Sequence, residues 1–463
     1  MRVEASADSA RLSSIDMVGG IDPQITENVS LALEKADKFE ARLLVAGFNP
    51  AQIADLLQIL RADLRERFVE YLRPDFDPSV LPELEEEIRN SVATQMGDKA
   101  IARAIIRLES DDALLLISSL PQAMQRHVME AIPAEFRELL EEGLAFPPET
   151  AGRLMQRNFV SVPAFWSVGE IIDFMREADD LPTDFYDIFV VDSRHRPIGK
   201  VPLNRLLRSK RPVRINEFMI EDIVTVNAGM DQEDVAFLFS QHDLISAPVV
   251  DGGGRLIGMI TIDDIVDVIQ EEAKEDIMGL AGVKSDDLYA AVLDTGCSRF
   301  SWLFLNLVTA LLVSIVIGFF EVTLDKIVML AVLMPIVASM GGNAGTQTMT
   351  IAVRALATRE LTSANALRLL GKETLVGFFN GLVFAILIGG IGWFWTASWM
   401  IGAVIAAAMM ITLVVAGLSG MFIPIALERL QVDPAVASGV ILTTVTDITA
   451  FSVFLGLAAL ILI

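Results

Sequence analysis

The sequence has little of the chemistry on which disulfide-stabilised folds and most transition-metal centres depend. It contains one cysteine, Cys297, and three histidines, His127, His195 and His242, in 463 residues. A single thiol excludes a disulfide framework and a cysteine-based metal site. The histidines are too scattered to predict a histidine-rich metal cage. Residues 1–25 also lack the apolar run of a cleaved signal sequence, so we expect the N-terminal part of the chain to stay in the cytoplasm.

Basic residues are also scarce, and their distribution divides the chain in two. The formal net charge is −25, from 61 acidic and 36 basic side chains. Residues 298–463 hold seven of each sign, so residues 1–297 carry the whole excess of negative charge. This predicts an acidic soluble part followed by a neutral membrane part. The negative field argues against nucleic-acid partners, because it repels phosphates, and it attracts cations.

The membrane part contains five apolar stretches that are long enough to cross a bilayer, which takes roughly 20 residues each. They lie near 301–320, 327–353, 375–397, 399–427 and 434–463. Six of the seven basic residues in this part fall on the side of the soluble domain, and only Lys326 falls on the other side. By the positive-inside rule, the soluble part is cytoplasmic and the C-terminus lies outside.

The second of these stretches loses its apolar character halfway along. Between Pro335 and Thr348 it contains Gly341, Gly342 and Asn343. Irregular backbone at membrane depth is tolerated only where it packs in protein or lines a wet cavity, so we expect an irregular, cavity-lining segment here. Close helix packing through small residues is the alternative, and it explains the glycines but not the asparagine.

Asp447 is the second polar feature of the membrane part. It follows Asp433, a predicted helix N-cap, by fourteen residues, which places it roughly 21 Å along a helix and near the membrane centre. Thr443 and Thr444 share its face. These oxygen donors favour hard cations such as Mg²⁺ or Ca²⁺, and a two-fold dimer would present two carboxylates to one pore. A protonated aspartic acid bonded to the threonines is the alternative.

Residues 35–148 are typical of short amphipathic helices. Apolar pairs such as Leu56-Leu57 and Leu139-Leu140 provide their buried faces, and prolines provide the breaks between them. Short helix pairs of this kind often stack as an α-solenoid. We therefore predict an all-α N domain.

An internal repeat organises residues 149–272. Phe189–Asp192 matches Pro248–Asp251 with an offset of 59 residues, and Pro197–Gly199 matches Leu256–Gly258 with the same offset. Tandem strand–turn–strand–helix units resemble a CBS pair, which is a regulatory platform rather than an enzyme. In the second copy, Gly258, Thr261 and Asp264 resemble a nucleotide-binding pattern, so ATP is one candidate ligand there and plain packing is the alternative.

From Thr261 to Leu280 the sequence predicts an amphipathic helix with an unusually acidic face. This stretch contains one basic residue, Lys274, and seven acidic residues: Asp263, Asp264, Asp267, Glu271, Glu272, Glu275 and Asp276. Like charges at helical spacing destabilise a helix, unless a divalent cation bridges them to another acidic surface. A solvated face is the alternative interpretation.

The run Pro335–Gln347, which reads PIVASMGGNAGTQ, the run TTVTD that ends at Asp447, and the order of the parts together resemble the MgtE-type magnesium channel family. The resemblance implies a homodimer in the lipid bilayer of the inner (plasma) membrane that conducts Mg²⁺ and binds no nucleic acid. It assigns to the pore metal site Asp447, Asn343, Gly341, Gly342, Thr443 and Thr444.

The fold class that this implies is multidomain: an all-α solenoid N domain, an α+β tandem CBS pair, an amphipathic connecting helix and a five-helix α transmembrane domain. The expected boundaries are a flexible segment at 1–30, the N domain at 31–148, the CBS copies at 149–213 and 214–262, the connecting helix at 263–297 and the pore domain at 298–463.

Carrying over the family's regulatory acids gives a set of candidate ligands for cytoplasmic Mg²⁺. They are Asp111 in the N domain, Asp231, Glu233 and Asp243 in the second CBS copy, Asp264, Asp267, Glu272, Glu275 and Asp276 on the acidic helix, and Asp433 at the cytoplasmic mouth. The N domain departs from the acid-rich family pattern, because three leucines closely follow Asp111 and Asp112.

The function expected from these features is a Mg²⁺-selective channel that imports magnesium and closes when cytoplasmic Mg²⁺ binds the regulatory acids. Two alternatives stay open: a proton- or Na⁺-coupled secondary transporter of divalent cations, and a non-conducting, CBS-regulated membrane sensor. The sequence contains no nucleophile–base constellation, P-loop or dinucleotide fingerprint, so we expect no enzymatic activity.

Overall fold

The computed structural model describes residues 21–178, 181–182, 185–283, 292–362 and 364–463. The chain forms two compact units, one ending at Gln270 and the other beginning at Glu271. The first helix begins at Pro23, earlier than the expected end of a flexible segment at residue 30. Asp22 caps this helix by accepting a hydrogen bond from the backbone N–H of Gln24, and the proline occupies a first-turn position, where its missing N–H costs nothing.

The N domain is all-helical in its described residues, as predicted. Prolines and capping residues set the helix ends, and Asn49 forms a reciprocal capping box with Gln52. Phe68, Leu56 and Leu57 are fully buried between the helices. The helices are α1 (Pro23–Glu34), α2 (Lys38–Leu44), α3 (Pro50–Ile59), α4 (Ala62–Leu72), α5 (Glu86–Met96), α6 (Asp98–Ile105), α7 (Ser110–Ser119), α8 (Gln122–Ala131) and α9 (Ala134–Leu144).

The repeat forms two three-stranded sheets with the same topology, which confirms the tandem α+β organisation. In each sheet the first strand runs parallel to the second, and the second runs antiparallel to the third. The elements of the first copy are α10 (Ala151–Leu154), β1 (Ser161–Pro163), α11 (Val168–Glu177), β2 (Asp187–Val191), β3 (Pro197–Pro202) and α12 (Leu203–Leu207). Those of the second are β4 (Val226–Asn227), α13 (Gln232–His242), β5 (Ser246–Val250) and β6 (Leu256–Thr261).

Each copy of the repeat is completed by a segment of the other copy that comes before the strands of that other copy. Ile220, before the strands of the second copy, exchanges two backbone hydrogen bonds of 3.0 and 2.9 Å with Lys200 in β3. Gln156, just before the strands of the first copy, does the same with Met259 in β6, at 2.7 and 2.9 Å. The two copies are therefore interlocked through their backbones, and Gln156 is fixed at the edge of the second sheet.

Glycine makes this exchange sterically possible in both copies. A Cβ atom added to Gly258 would lie 2.7 Å from the sulfur of Met155, and one added to Gly199 would lie 2.9 Å from the sulfur of Met219. Both distances are too short for a real side chain, because carbon and sulfur atoms normally stay well over 3 Å apart. The paired methionines thus pack directly on the backbone of the partner copy.

The acidic helix, α14 (Ile262–Leu280), follows β6 directly and continues into the second unit. It ends at Leu280, as the amphipathic pattern predicts, because Gly282 adopts a left-handed conformation with φ +71°. The backbone N–H of Val283 then donates to the carbonyl oxygen of Met278 at 3.0 Å, which closes the helix end. Residues 284–291, the middle of the predicted 263–297 segment, lie outside the described residues.

The second unit contains five helices that are long and apolar enough to cross a membrane, which confirms the predicted five spans among the described residues. Glycines allow the third and fourth to approach closely: a Cβ on Gly377 would lie 2.6 Å from the carbonyl oxygen of Leu413. The helices of this unit are α15 (Val292–Gly318), the short α16 (Glu321–Lys326), α17 (Met329–Ala357), α18 (Ala366–Thr396), α19 (Trp399–Arg429) and α20 (Pro434–Leu462).

Helix α17 corrects one expectation. We predicted irregular backbone after Pro335, but the helix is continuous through this stretch. A continuous helix satisfies the backbone polar groups internally, which lipid requires. Gly341 and Gly345 are buried, and added Cβ atoms would lie 2.5 Å from Cγ2 of Thr412 and 3.1 Å from Cδ1 of Leu442. These two glycines therefore serve close helix packing, which was the alternative interpretation.

Candidate ion-binding sites

Asp447 lies midway along α20, whose N-cap is Asp433. Its side chain is partly exposed, and it forms no hydrogen bond or ion pair with any described residue. An ionised carboxylate in this position is costly unless water or a cation compensates it. The residue therefore has the character of an ion ligand that the protein itself leaves unsatisfied.

The two predicted partner threonines do not bond to Asp447. The hydroxyl of Thr443 donates to the carbonyl oxygen of Gly439 at 3.1 Å, and that of Thr444 donates to the carbonyl oxygen of Val440 at 2.7 Å. Each proton is thus used within the helix, while the hydroxyl oxygens keep lone pairs for a cation or its water shell. This arrangement differs from an aspartic acid held by threonine hydrogen bonds.

The predicted pore residues of α17 separate onto two faces. Asn343 is exposed, and a Cβ added to Gly342 would meet nothing within 4 Å. Gly341, by contrast, is buried against Thr412 and Thr446. Of the three predicted residues, Gly342 and Asn343 keep an open surface, whereas Gly341 is a packing position.

A second carboxylate in the membrane unit, Glu373, was missed by the sequence interpretation. Its side chain is only 7% exposed. It accepts a 3.4 Å hydrogen bond from the hydroxyl of Thr348, and the ammonium of Lys372 lies 3.6 Å away. We predicted that the third span begins at residue 375, whereas α18 begins at Ala366 and takes these charged residues into the helix.

The end of α14 packs beside the start of α20. A Cβ on Gly279 would lie 3.3 Å from that of Ala435, which indicates close contact between the helices. Burial raises the pKa of Asp276, and the neighbouring charge of Asp433 raises it further. The structure therefore brings together two of the predicted regulatory acids, Asp276 and Asp433. Glu272 and Glu275 lie on the same helix.

The most concentrated group of predicted ligands lies in the first unit, where the start of α7 meets the junction of β6 and α14. The Nε2 atom of Gln156 lies 2.8 Å from Glu109 Oε2, 3.3 Å from Asp264 Oδ2, 3.4 Å from Thr261 Oγ1 and 3.5 Å from Asp111 Oδ2. The hydroxyl of Thr261 also donates to Asp264 at 2.8 Å. We call these five residues the Gln156 cluster.

Burial dominates the electrostatics of this cluster. It raises the pKa of Asp264 well above the ordinary range, and the nearby carboxylate of Asp111 raises it further. The pKa of Asp111 is raised by burial and then by the charge of Asp112. Burial and the charge of Asp264 likewise raise the pKa of Asp112, to about 7. These carboxylates are unfavourable as anions unless a proton or a cation joins them.

The acidic region extends beyond the cluster along α14. Burial and then the charge of Asp263 raise the pKa of Asp267. Burial also raises the pKa of Glu83, with the charge of Asp267 as the next cause. The structure therefore places Asp111, Asp264 and Asp267 within one electrostatically coupled region, as the regulatory assignment requires.

Three other predicted regulatory acids do not converge. Asp231 caps the start of α13 and accepts a 2.9 Å hydrogen bond from the backbone N–H of Glu233. Asp243 ends the same helix in a left-handed conformation. Because α13 has eleven residues, its two ends lie roughly 16 Å apart. Asp231 and Asp243 therefore cannot share one ion within this chain.

No group of three or more histidine, cysteine, aspartate or glutamate side chains in the described ranges has the geometry to hold a metal ion. The Gln156 cluster instead has an amide nitrogen at its centre. A cation would therefore enter only with a rearrangement of Gln156.

The nucleotide pattern of the second CBS copy lies inside the same cluster. Thr261 and Asp264, the two residues expected to bind a nucleotide, bond to each other and to Gln156. The carboxylates of Glu109 and Asp111 complete the surroundings. A nucleotide phosphate would be repelled by this many carboxylates.

Family models match three consecutive parts of the chain. A model described as the MgtE intracellular N domain matches residues 48–149, and a CBS domain model matches residues 151–211 and 215–271. A model described as the divalent cation transporter MgtE matches residues 334–457. The Gln156 cluster joins residues of the first two parts, and Asp447 lies in the third.

Named relatives cover most of the chain. The magnesium transporter MgtE of Thermus thermophilus is 32% identical over 354 residues, which are 76% of this chain and 78% of that protein. The magnesium transporter MgtE of Bacillus subtilis is 28% identical over 420 residues, or 90% and 93% of the two chains. A solved structure of the cytosolic domain of the Mg²⁺ channel MgtE in complex with ATP is 27% identical, covers 52% of this chain and 99% of that one, and has a TM-score of 0.48.

Five membrane-length helices make this a multi-pass membrane protein. The MgtE relatives that cover most of the chain are transporters and not enzymes, in agreement with the expectation from the sequence. The order of N domain, CBS pair and membrane domain is also the predicted one. The chain belongs to the MgtE family of divalent cation transporters.

Proposed function

We propose that this protein is a Mg²⁺-selective channel that imports magnesium into the cytoplasm and is closed by cytoplasmic Mg²⁺. The observation that carries the proposal is Asp447, a carboxylate at mid-membrane depth that no described residue compensates. A hydrated cation in an aqueous path supplies the missing positive charge. The magnesium transporters that resemble this chain support the choice of ion.

The donor atoms around Asp447 favour Mg²⁺ in its hydrated form. Threonine hydroxyls, a carboxylate and the exposed amide of Asn343 all offer oxygen, which hard cations prefer. One carboxylate cannot replace the six oxygens of a hydration shell, and Mg²⁺ loses its water reluctantly. We therefore propose that two chains form a homodimer with both Asp447 side chains facing one axial pore, and with Gly342, Asn343, Thr443 and Thr444 along it.

Closure is proposed to depend on two groups of acids. One is the Gln156 cluster with its neighbour Asp267, and the other is the pair Asp276 and Asp433 at the start of α20. When cytoplasmic Mg²⁺ is scarce, the carboxylates repel one another and the contacts between the regulatory parts loosen. When it is abundant, bridging ions favour the closed conformation, which is a population shift driven by differential ion affinity.

Thr261 and Asp264 are assigned to this ion-dependent closure rather than to ATP. The reason is that Gln156 and two carboxylates surround them, which a nucleotide would have to displace. The expected result is that Thr261→Val leaves any ATP affinity of the full-length protein unchanged while altering its response to Mg²⁺. An ATP affinity lost in this variant would return these residues to nucleotide binding.

The test of the proposed function is Mg²⁺ flux into proteoliposomes that contain the full-length protein, with the internal Mg²⁺ concentration varied. A channel gives flux without any proton or Na⁺ gradient, and the flux falls as internal Mg²⁺ rises. Flux that requires a proton or Na⁺ gradient would instead indicate a coupled transporter. Absence of flux in every condition would indicate a non-conducting sensor.

A further inference from the structure

Resting on the proposed regulation by Mg²⁺, we propose that the side-chain amide of Gln156 is a built-in substitute for the regulatory cation. In the ion-free protein, its Nε2 atom occupies the centre of the acidic cluster and holds the two domains together weakly. A divalent ion replaces it. Residue 156 thereby sets how strongly the cytoplasmic unit responds to Mg²⁺.

The Nε2 atom has more oxygen neighbours than an ordinary amide nitrogen can serve. Four oxygen acceptors lie within 3.5 Å of this one atom. An amide group carries only two hydrogen atoms, so it cannot donate full hydrogen bonds to all four. Its partial positive charge instead serves several acceptors at once, two of which come from the N domain and two from the second CBS copy.

Gln156 cannot simply withdraw from this position. Its backbone N–H and C=O are both bonded to Met259 in β6, at 2.7 and 2.9 Å. The residue is 7% exposed. The amide must therefore leave by rotation of its own side chain, while the backbone and the surrounding acids stay in place.

An oxygen in the cluster points to a missing ligand. Asp111 is only 9% exposed; its carboxyl group shares a side-chain hydrogen bond with Asp264, and its buried Oδ1 atom has no other hydrogen-bond partner among the described residues. A buried, unpaired carboxylate oxygen is unfavourable, and it is rarely left so in folded proteins. The adjacent base Arg157 does not supply the charge, since its guanidinium lies 3.6 Å from Glu142 and packs over the ring of Phe146.

The amide of Gln156 therefore compensates the charge and the hydrogen-bonding capacity of these carboxylates only in part. It stabilises the ion-free contact between the domains enough to keep the carboxylates close, and it leaves one oxygen for the ion. A divalent cation provides more charge but must first displace the amide. This competition weakens the response to Mg²⁺ relative to a site without the amide.

Two substitutions of Gln156 should shift the response in opposite directions. Gln156→Lys places a permanent cation at the centre, so the cytoplasmic unit should be stable without Mg²⁺ and gain little when Mg²⁺ is added. Gln156→Met keeps nearly the same shape but removes the donor, so the unit should be less stable without Mg²⁺ and gain more from it. The expected change in the Mg²⁺-induced rise of the unfolding temperature is about twofold in each direction.

The measurement is thermal unfolding of the full-length protein in detergent, with and without Mg²⁺. Gln122→Lys and Gln122→Met, on the exposed start of α8, are the matched controls and should behave like the original chain. The inference would be overturned if Mg²⁺ raised the unfolding temperature of both Gln156 variants as much as that of the original chain. It would also be overturned if the Mg²⁺-induced rise changed in the same direction in both variants. If the original chain itself gains no stability from Mg²⁺, the proposed regulation fails first and the inference fails with it.

Discussion

Asp264 in the first unit and Asp447 in the membrane unit are both partly removed from bulk water, but different groups surround them. Asp264 accepts hydrogen bonds from Gln156 and Thr261, and the carboxylate of Asp111 lies beside it. Asp447 has no partner among the described residues, and its two threonine neighbours bond to their own helix.

The difference separates two ways of using a carboxylate with Mg²⁺. In the proposed mechanism, the crowded carboxylates repel one another, so an ion that bridges them changes the conformation of the protein, and protons and the Gln156 amide compete with that ion. An isolated carboxylate has little to rearrange, so an ion can bind there and leave again. The first arrangement suits sensing and the second suits conduction.

The largest expected effect comes from the isolated site. Asp447→Asn should reduce Mg²⁺ flux into proteoliposomes to the background level, because a neutral amide no longer attracts a hydrated divalent ion. Asp325→Asn, which makes the same chemical change at an exposed position of α16, is the control and should keep its flux. Normal flux through the Asp447 variant would remove the pore assignment.

Neutralising the crowded acids should affect closure and leave conduction intact. The variant combines four substitutions: Asp264→Asn, Asp267→Asn, Glu275→Gln and Asp276→Asn. Neutral amides attract a bridging divalent ion far less than carboxylates do, so flux should remain high when internal Mg²⁺ is raised. The control replaces four exposed acids of α8 and α9 by Gln: Glu130, Glu135, Glu138 and Glu141. Closure that survives in the first variant would mean that the acidic face is only a solvated surface.

Protonation should partly replace Mg²⁺ at the crowded site. The pKa of Asp112 is about 7 in the folded protein, against roughly 4 in an unfolded chain. The folded state therefore binds more protons between these values, and stability without Mg²⁺ should rise as the pH falls from 8 towards 5. Unfolding temperatures should increase by about 2–4 °C for each kcal/mol gained. Asp112→Asn should make this profile less steep, because one of the carboxyl groups with a raised pKa is lost while Asp111 remains; an unchanged profile would show that Asp112 does not contribute.

The smallest expected effects concern the glycines of α17. Gly341→Ala should destabilise the membrane unit by about 1–3 kcal/mol, because the new methyl group overlaps the side chain of Thr412. Gly342→Ala meets open space and should leave stability nearly unchanged. Thermal unfolding in detergent distinguishes the two. Equal stability of both variants, with flux lost only at Gly341, would restore a pore-lining role for that glycine.

Periodicity and hydropathy were sufficient for the architecture, because burial in lipid and in sheets imposes repeating patterns on a sequence. The offset of 59 residues predicted the two sheets, and apolar length predicted the five spans. Glu373 was missed because a helix can continue past the point where its sequence becomes charged. The continuity of α17 was missed because composition alone does not reveal whether Gly341 faces a neighbouring helix or a cavity.

For the regulatory sites, the sequence predicted the acidic residues but not the glutamine that lies among them. Asp111, Asp264, Asp276 and Asp433 came from charge density and family resemblance, and the structure brings them into two groups. Gln156 carries no signal in a single sequence, because a lone glutamine before a strand has no pattern of its own. Its importance arises from the backbone exchange with β6, a long-range contact that no local sequence window contains.

That exchange has a consequence for any shortened form of the protein. A fragment that keeps one CBS copy and discards the other also discards the residues that cover its own sheet edge and fill the space above its glycine. Bare strand edges tend to recruit other chains. Fragments cut between the copies should therefore aggregate, and only fragments that keep residues 151–271 undivided should yield a soluble CBS pair.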